Sequence, residues 1–212
     1  MTAIRRDRGL IRSGPWVACG LVLLSLLAAV VPGAEATLEY DRARVAVGEP
    51  WRILSAQIAH YGWRMRAFDL GVLLLLGSSV EVFSRRLACL AVMFGAASVG
   101  LGIHLLVPAV TRFRGSSGIA TALFVAAVLE MARPGAGIWL RVAAFGGLGA
   151  FLAKAAWEIG TGQSLFAGPL PEGASVVPAG HLLGAAAGVL AWILGGGGLP
   201  GRPGRSGGAP GV

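Results

Sequence analysis

The sequence is short of charge. Only 13% of its 212 residues are Asp, Glu, Lys or Arg, against roughly 25% in an ordinary soluble domain. With 55% hydrophobic residues arranged in long runs, this deficit excludes a standard soluble fold and places the chain in the membrane class. Acids are scarcer than bases, ten against eighteen, for a net charge of +8. The surplus is not a nucleic-acid footprint: the arginines fall in short clusters between apolar runs, which is how a multi-span chain records its orientation. Cysteine is nearly missing. Cys19 and Cys89 both sit inside apolar runs, so no disulfide framework is expected, and no Cys/His spacing suits a metal. No metal or other cofactor is expected. Internal repeats are lacking too, which argues against a small transporter or scaffold built from duplicated halves.

Glycine is abundant, with 34 residues, as in membrane helices that pack backbone against backbone. At about 20 apolar residues per span, the chain has room for roughly six. The expected organisation is all-α: a basic cytoplasmic amino end (1–14), a six-span domain (15–195) and a Gly/Pro/Arg tail (196–212) of disordered composition. The spans are expected at about 16–33, 65–80, 87–107, 116–132, 138–157 and 178–195. The first apolar run also reads as a signal peptide with a cleavage neighbourhood over 31–36, but the further spans favour a retained helix. Residues 35–64 interleave Glu35, Glu39, Asp41 and Glu49 with Arg42, Arg44 and Arg52. They are too polar to span and read as a surface-lying loop with a short amphipathic helix, Trp51 and Trp63 at headgroup level. Residues 160–177 read as a Gly/Pro/Ser loop. Six spans put ten arginines on the side of the amino end and seven on the other, which favours both termini inside.

Chemistry is concentrated in few places. Gly115-Ser116-Ser117-Gly118 opens the fourth run. A serine at a helix amino-terminus has free N–H groups beside it for an oxyanion, and flanking glycines let the chain turn tightly. The competing reading is a packing turn or a helix cap. His181 precedes Gly184 and Gly188, which with Gly180 lie four apart on one helix face. An ionisable group there marks function by default, against a histidine bonded to a backbone carbonyl. Both groups fall toward the outer face. Asp69 shares a face of the second span with Met65; it marks function by the same rule, or pairs locally with Arg66 or Arg64. His104 has no motif around it and reads as structural. Glu158 lies four residues after Lys154 and reads as a helix-end ion pair.

Together these residues resemble the rhomboid intramembrane serine proteases, and within them the rhombosortase branch. The Gly-x-Ser-Gly of residues 115–118 and the His181, Gly184, Gly188 spacing carry the first likeness. Tyr40-Asp41-Arg42, Gly48-Glu49-x-Trp51-Arg52-Ile53-Leu54, His60, Trp63 and Lys154-x-x-Trp157-Glu158-x-x-Thr161-Gly162 carry the second. The likeness runs over about 38–192. It implies a six-helix core in the bacterial inner membrane and a Ser117–His181 dyad. Gly115, Ser116, Gly118, Asp69 and His60 are implied around the oxyanion, with Gly184 and Gly188 as the packing seam. The implied substrate is a membrane protein with a carboxy-terminal sorting helix. Rhomboids carry a His-x-x-x-Asn pair in the second span; aligned on His60 and Trp63, those positions here hold Met65 and Asp69. Methionine has no hydrogen to donate. The alternative is thus a weak or inactive rhomboid-like protein that binds membrane helices.

Overall fold

In a computed structural model, the described residues are 14–162 and 177–196. Six long helices dominate them: α1 (Trp16–Val30), α5 (Gly62–Phe83), α6 (Arg85–Leu106), α7 (Ser117–Ala132), α8 (Ile138–Thr161) and α9 (Pro178–Gly195). Between α1 and α5 the chain forms three short helices, α2 (Ala34–Leu38), α3 (Arg42–Ala46) and α4 (Arg52–Ser55), then a 3-10 turn over Ala56–Ile58. Two-residue strands β1 (Tyr40–Asp41) and β2 (Arg112–Phe113) pair antiparallel, Tyr40 opposite Phe113. The fold is all-α and of membrane type. The amino end, most of the 160–177 loop and the tail beyond 196 lie outside the described residues.

The helices fall close to the expected spans, with shifted ends. The helix expected from 65 starts at Gly62 and continues to Phe83; Arg66 is tolerated there because the loop acid Glu35 reaches it, and Arg64 is exposed. Among the described residues, α6, α8 and α9 are long and apolar enough to cross a bilayer by length and composition alone. At 15 and 16 residues, α1 and α7 reach only about 22–24 Å, and α5 carries four charged residues.

Contacts at their ends show that the helices alternate in direction. Glu81 near the end of α5 accepts from the backbone N–H groups of Val17 and Ala18 at the start of α1 (3.2 and 2.9 Å). Arg86 at the start of α6 donates to Leu194 O at the end of α9, and Trp192 of α9 donates to Glu130 late in α7. The starts of α5, α7 and α9 therefore share the opposite end of the bundle with the 31–61 loop.

That loop is not merely surface-lying, as its polarity suggests. Tyr40, Ala56, Gln57, Ala59 and His60 are buried, because the loop satisfies carbonyls that a helix end leaves open. Arg42 donates to the carbonyls of Ile103, His104 and Val107 in the last turn of α6 and to Val110 O. Its Tyr40 neighbour meets His104 Nδ1 at 3.1 Å, consistent with a structural His104. Buried Arg52 donates to Ala36 O and Glu39 O. A Cβ on Gly100 would sit 2.1 Å from Ile53 O, so only glycine lets α6 take the loop this closely. Trp51 and Trp63 remain exposed.

Above the helix ends lies a charged cluster. Glu39, 2% exposed, accepts from Tyr61 and Arg112 and pairs with Arg114. Burial pushes its carboxyl pKa up, but these donors outweigh burial and hold it below 4.5. A depressed carboxylate contributes stability that is present above the unfolded value and lost as pH falls through the folded one. Protection of the 31–61 loop amides, corrected for the intrinsic pH dependence of exchange, should therefore drop as acid protonates Glu39, before the helices open. Glu39→Gln should remove that acid step, which hydrogen exchange read by mass spectrometry will register.

Candidate active site

The turn before α7 is shaped by one glycine. Gly115 has φ +132°, and a Cβ there would lie 2.7 Å from Met65 Cε and 3.4 Å from Asp69 Oδ2. Its N–H donates to Ala56 O at 3.0 Å. Ser116, 2% exposed, precedes the helix with its Oγ 3.3 Å from His60 Nε2. Ser117 is the first residue of α7, half-buried, and its carbonyl accepts from Thr121 Oγ1 at 2.8 Å. The N–H groups of this first turn have no intrahelical partner.

His60 is fully buried. Ser25 of α1 donates its hydroxyl to Ile58 O at 2.8 Å and lies 3.2 Å from His60 Nδ1. The Ser25 proton is thus committed, so Nδ1–H of His60 donates to Ser25. A neutral His60 then accepts from the Ser116 hydroxyl at Nε2. Asp69 Oδ2 approaches the same Nε2 to 3.4 Å without hydrogen-bond alignment. Asp69 does not pair with Arg64 or Arg66, the local partners its sequence position offered. Arg66 reaches Glu35 instead, because the loop acid competes for it. Met65 packs its methyl against Gly115.

On the far side, α9 lies against α7 through its glycines. A Cβ on Gly184 would sit 2.3 Å from Gly118 O, and one on Gly188 2.5 Å from Ala122 O. Gly118 in turn admits Val99 of α6, 2.5 Å from its own missing Cβ. This seam sets His181, one turn before Gly184, beside the start of α7. Ser117, His181 and Asp69 line one cavity of about 160 Å³ together with Thr121, Phe124 and Lys154. No direct hydrogen bond joins Ser117 to His181 among the described residues; such bonds commonly close only when substrate binds. Beside it, an apolar groove of about 740 Å³ opens between α7 and α8, lined by Phe124, Phe151, Lys154 and Trp157 among others.

His60 and Ser116, both expected around the oxyanion, meet directly. One contact was not expected from the sequence: Glu158 points at His181, with Oε2 3.5 Å from Nδ1. The Lys154 partner expected for Glu158 is present at 2.7 Å. No side-chain group suited to a metal ion occurs among the described residues.

An alternating bundle of apolar helices, with serine, histidine and acid lining one half-open cavity at one end, defines an all-α protein of membrane type. The chain belongs to the rhomboid family: the family model described as Rhomboid domain matches residues 47–197. The family comprises intramembrane serine proteases that act on membrane proteins. A comparison with curated proteins finds no match.

Proposed function

We propose that this protein is an intramembrane serine endopeptidase of the rhombosortase branch. It crosses the membrane six times with both termini cytoplasmic, and it cuts a carboxy-terminal sorting helix of secreted proteins near the outer face of the bacterial inner membrane. The observation that carries this reading is the shared cavity of Ser117, His181 and Asp69 at the loop end of the bundle. Ser117 Oγ attacks the scissile carbonyl carbon while His181 takes its proton. The carbonyl oxygen becomes an oxyanion and is met by the free N–H groups of the first turn of α7. His181 then returns the proton to the leaving amine as the C–N bond breaks, and water hydrolyses the acyl-enzyme by the same route. The apolar groove between α7 and α8 suits an entering helix.

Asp69 takes the place of the missing donor on α5. Its Oδ2 has no hydrogen-bond partner to give up among the described residues, and a carboxyl that holds its proton can donate to the oxyanion. Asparagine always carries a donor. Asp69→Asn should therefore match or exceed wild-type turnover, and Asp69→Leu should lose about 10²-fold, the usual cost of one oxyanion donor. Equal turnover in all three proteins places Asp69 outside the oxyanion site.

The test of the function is cleavage in proteoliposomes. A passenger protein ending in a Gly-Gly-type sorting helix should be cut next to that helix. The same passenger fused to an unrelated leucine-rich span should not. Equal cutting of both removes the sorting specificity, and cutting of neither favours the helix-binding alternative.

A further inference from the structure

Helix α8 turns almost nothing inward. Its buried residues are Ala144 and Glu158, and Glu158 is only 1% exposed. A carboxylate within an apolar span is costly. A helix-end pair with Lys154 would serve as well turned toward the headgroup region, where long charged side chains are cheaper to solvate. Instead Glu158 Oε2 holds Lys154 Nζ at 2.7 Å and faces His181 Nδ1 at 3.5 Å, although α8 and α9 touch little elsewhere.

We infer that Glu158 is the positioning residue for His181, extending the dyad to Ser117–His181–Glu158; this rests on the Ser117–His181 reading above. At 3.5 Å Glu158 Oε2 and His181 Nδ1 make no hydrogen bond in the resting structure; a small closure lets Oε2 accept from Nδ1–H, which keeps the imidazole proton there and leaves the lone pair on Nε2. The Ser117 hydroxyl proton passes to Nε2 as Oγ bonds to the carbonyl carbon. The imidazolium so formed faces the Glu158 carboxylate, which takes no proton. The Nε2 proton then goes to the leaving amine nitrogen, and histidine ends neutral with Nδ1–H unchanged. Lys154 shares the carboxylate and borders the cavity, as does Asp69 from α5. Among the described residues, Glu158, Lys154 and Asp69 are the charged groups around His181.

Lys154 also decides the choice of variant. Its Nζ and His181 Nδ1 both meet Oε2, so in Glu158→Gln the amide oxygen that keeps Lys154 also keeps facing Nδ1, and the variant removes the charge but not the acceptor. Glu158→Leu removes both, so nothing on α8 holds the imidazole proton at Nδ1 and the Nε2 lone pair is no longer kept free for the serine proton. With full-length protein in detergent and a fluorophosphonate probe, Glu158→Leu should lower the maximal inactivation rate by about 10²-fold or more, and Glu158→Gln by less, while the probe's half-saturating concentration changes less than about 3-fold. Glu158→Asp should recover part of that rate. Nitrogen-15 spectra of the three histidines should show His181 shifting from Nδ1–H toward Nε2–H in Glu158→Leu and keeping Nδ1–H in Glu158→Gln. An unchanged rate and tautomer in Glu158→Leu, with only a lower melting temperature, would reduce Glu158 to a structural ion pair and overturn the inference. If wild-type protein takes no label, the serine-nucleophile reading fails by itself. The tautomer in Glu158→Leu then decides on Glu158: a switch supports the coupling, and no switch overturns it.

Discussion

Ser117→Ala should abolish proteolysis, by about 10⁴-fold or more, since removing a nucleophile also idles the base that serves it. Folding should be spared. Ser117 Oγ holds no hydrogen-bond partner among the described residues, and the bond from Thr121 goes to the Ser117 carbonyl, which alanine keeps. A surface-like change of this kind costs within about 0.5 kcal/mol, so the melting temperature should stay within about 2 °C of wild type. Ser116→Ala is the instructive contrast. Its hydroxyl meets the buried His60 Nε2, and removing it strands a polar group at about 1–3 kcal/mol. Ser116→Ala should therefore lower stability and retain measurable activity. Cleavage assays and thermal melts on the two variants separate the roles of adjacent serines.

The second large effect is expected at Gly184. Its missing Cβ would stand 2.3 Å from Gly118 O and 3.1 Å from Gly118 C. Both are backbone atoms of the neighbouring helix, so no rotamer relieves the clash. Gly184→Ala must push α9 outward, and overpacking of this kind typically costs about 1–3 kcal/mol. The larger consequence is catalytic, because His181 travels with α9. A displacement near 1 Å is enough to lose about 10²-fold in rate. Gly146→Ala on α8 is the matched control: nothing lies within 4 Å of its Cβ, so both stability and turnover should be kept. If Gly184→Ala cleaves as wild type does, the glycine seam does not set the His181 position.

Much of the helical layout could be read from the sequence, because apolar runs of span length are punctuated by Pro108 and by Arg133-Pro134-Gly135. The start of a helix at 117 could be read too, from small polar residues opening an apolar run, although a packing turn or a helix cap explains them equally well when taken alone. The rest depended on partners remote in sequence. Asp69 stands three residues from Arg66, yet Arg66 turns to Glu35 of the loop, and Asp69 is left facing His60. Polarity made the 31–61 loop look superficial. It is held in by α6, whose open carbonyls bind Arg42 and whose Gly100 admits Ile53. Glu158 has a satisfying local partner in Lys154, and nothing in the spacing shows that the same oxygen also faces α9.

The central claim is that Ser117 is a nucleophile activated by His181. Intact-protein mass spectrometry after fluorophosphonate treatment tests it most directly. The wild-type chain should gain a single adduct that peptide mapping assigns to Ser117, and neither Ser117→Ala nor His181→Ala should gain it. A wild-type chain that stays unmodified under conditions that label an ordinary rhomboid, or a Ser117→Ala chain that labels as fast as wild type, would contradict it.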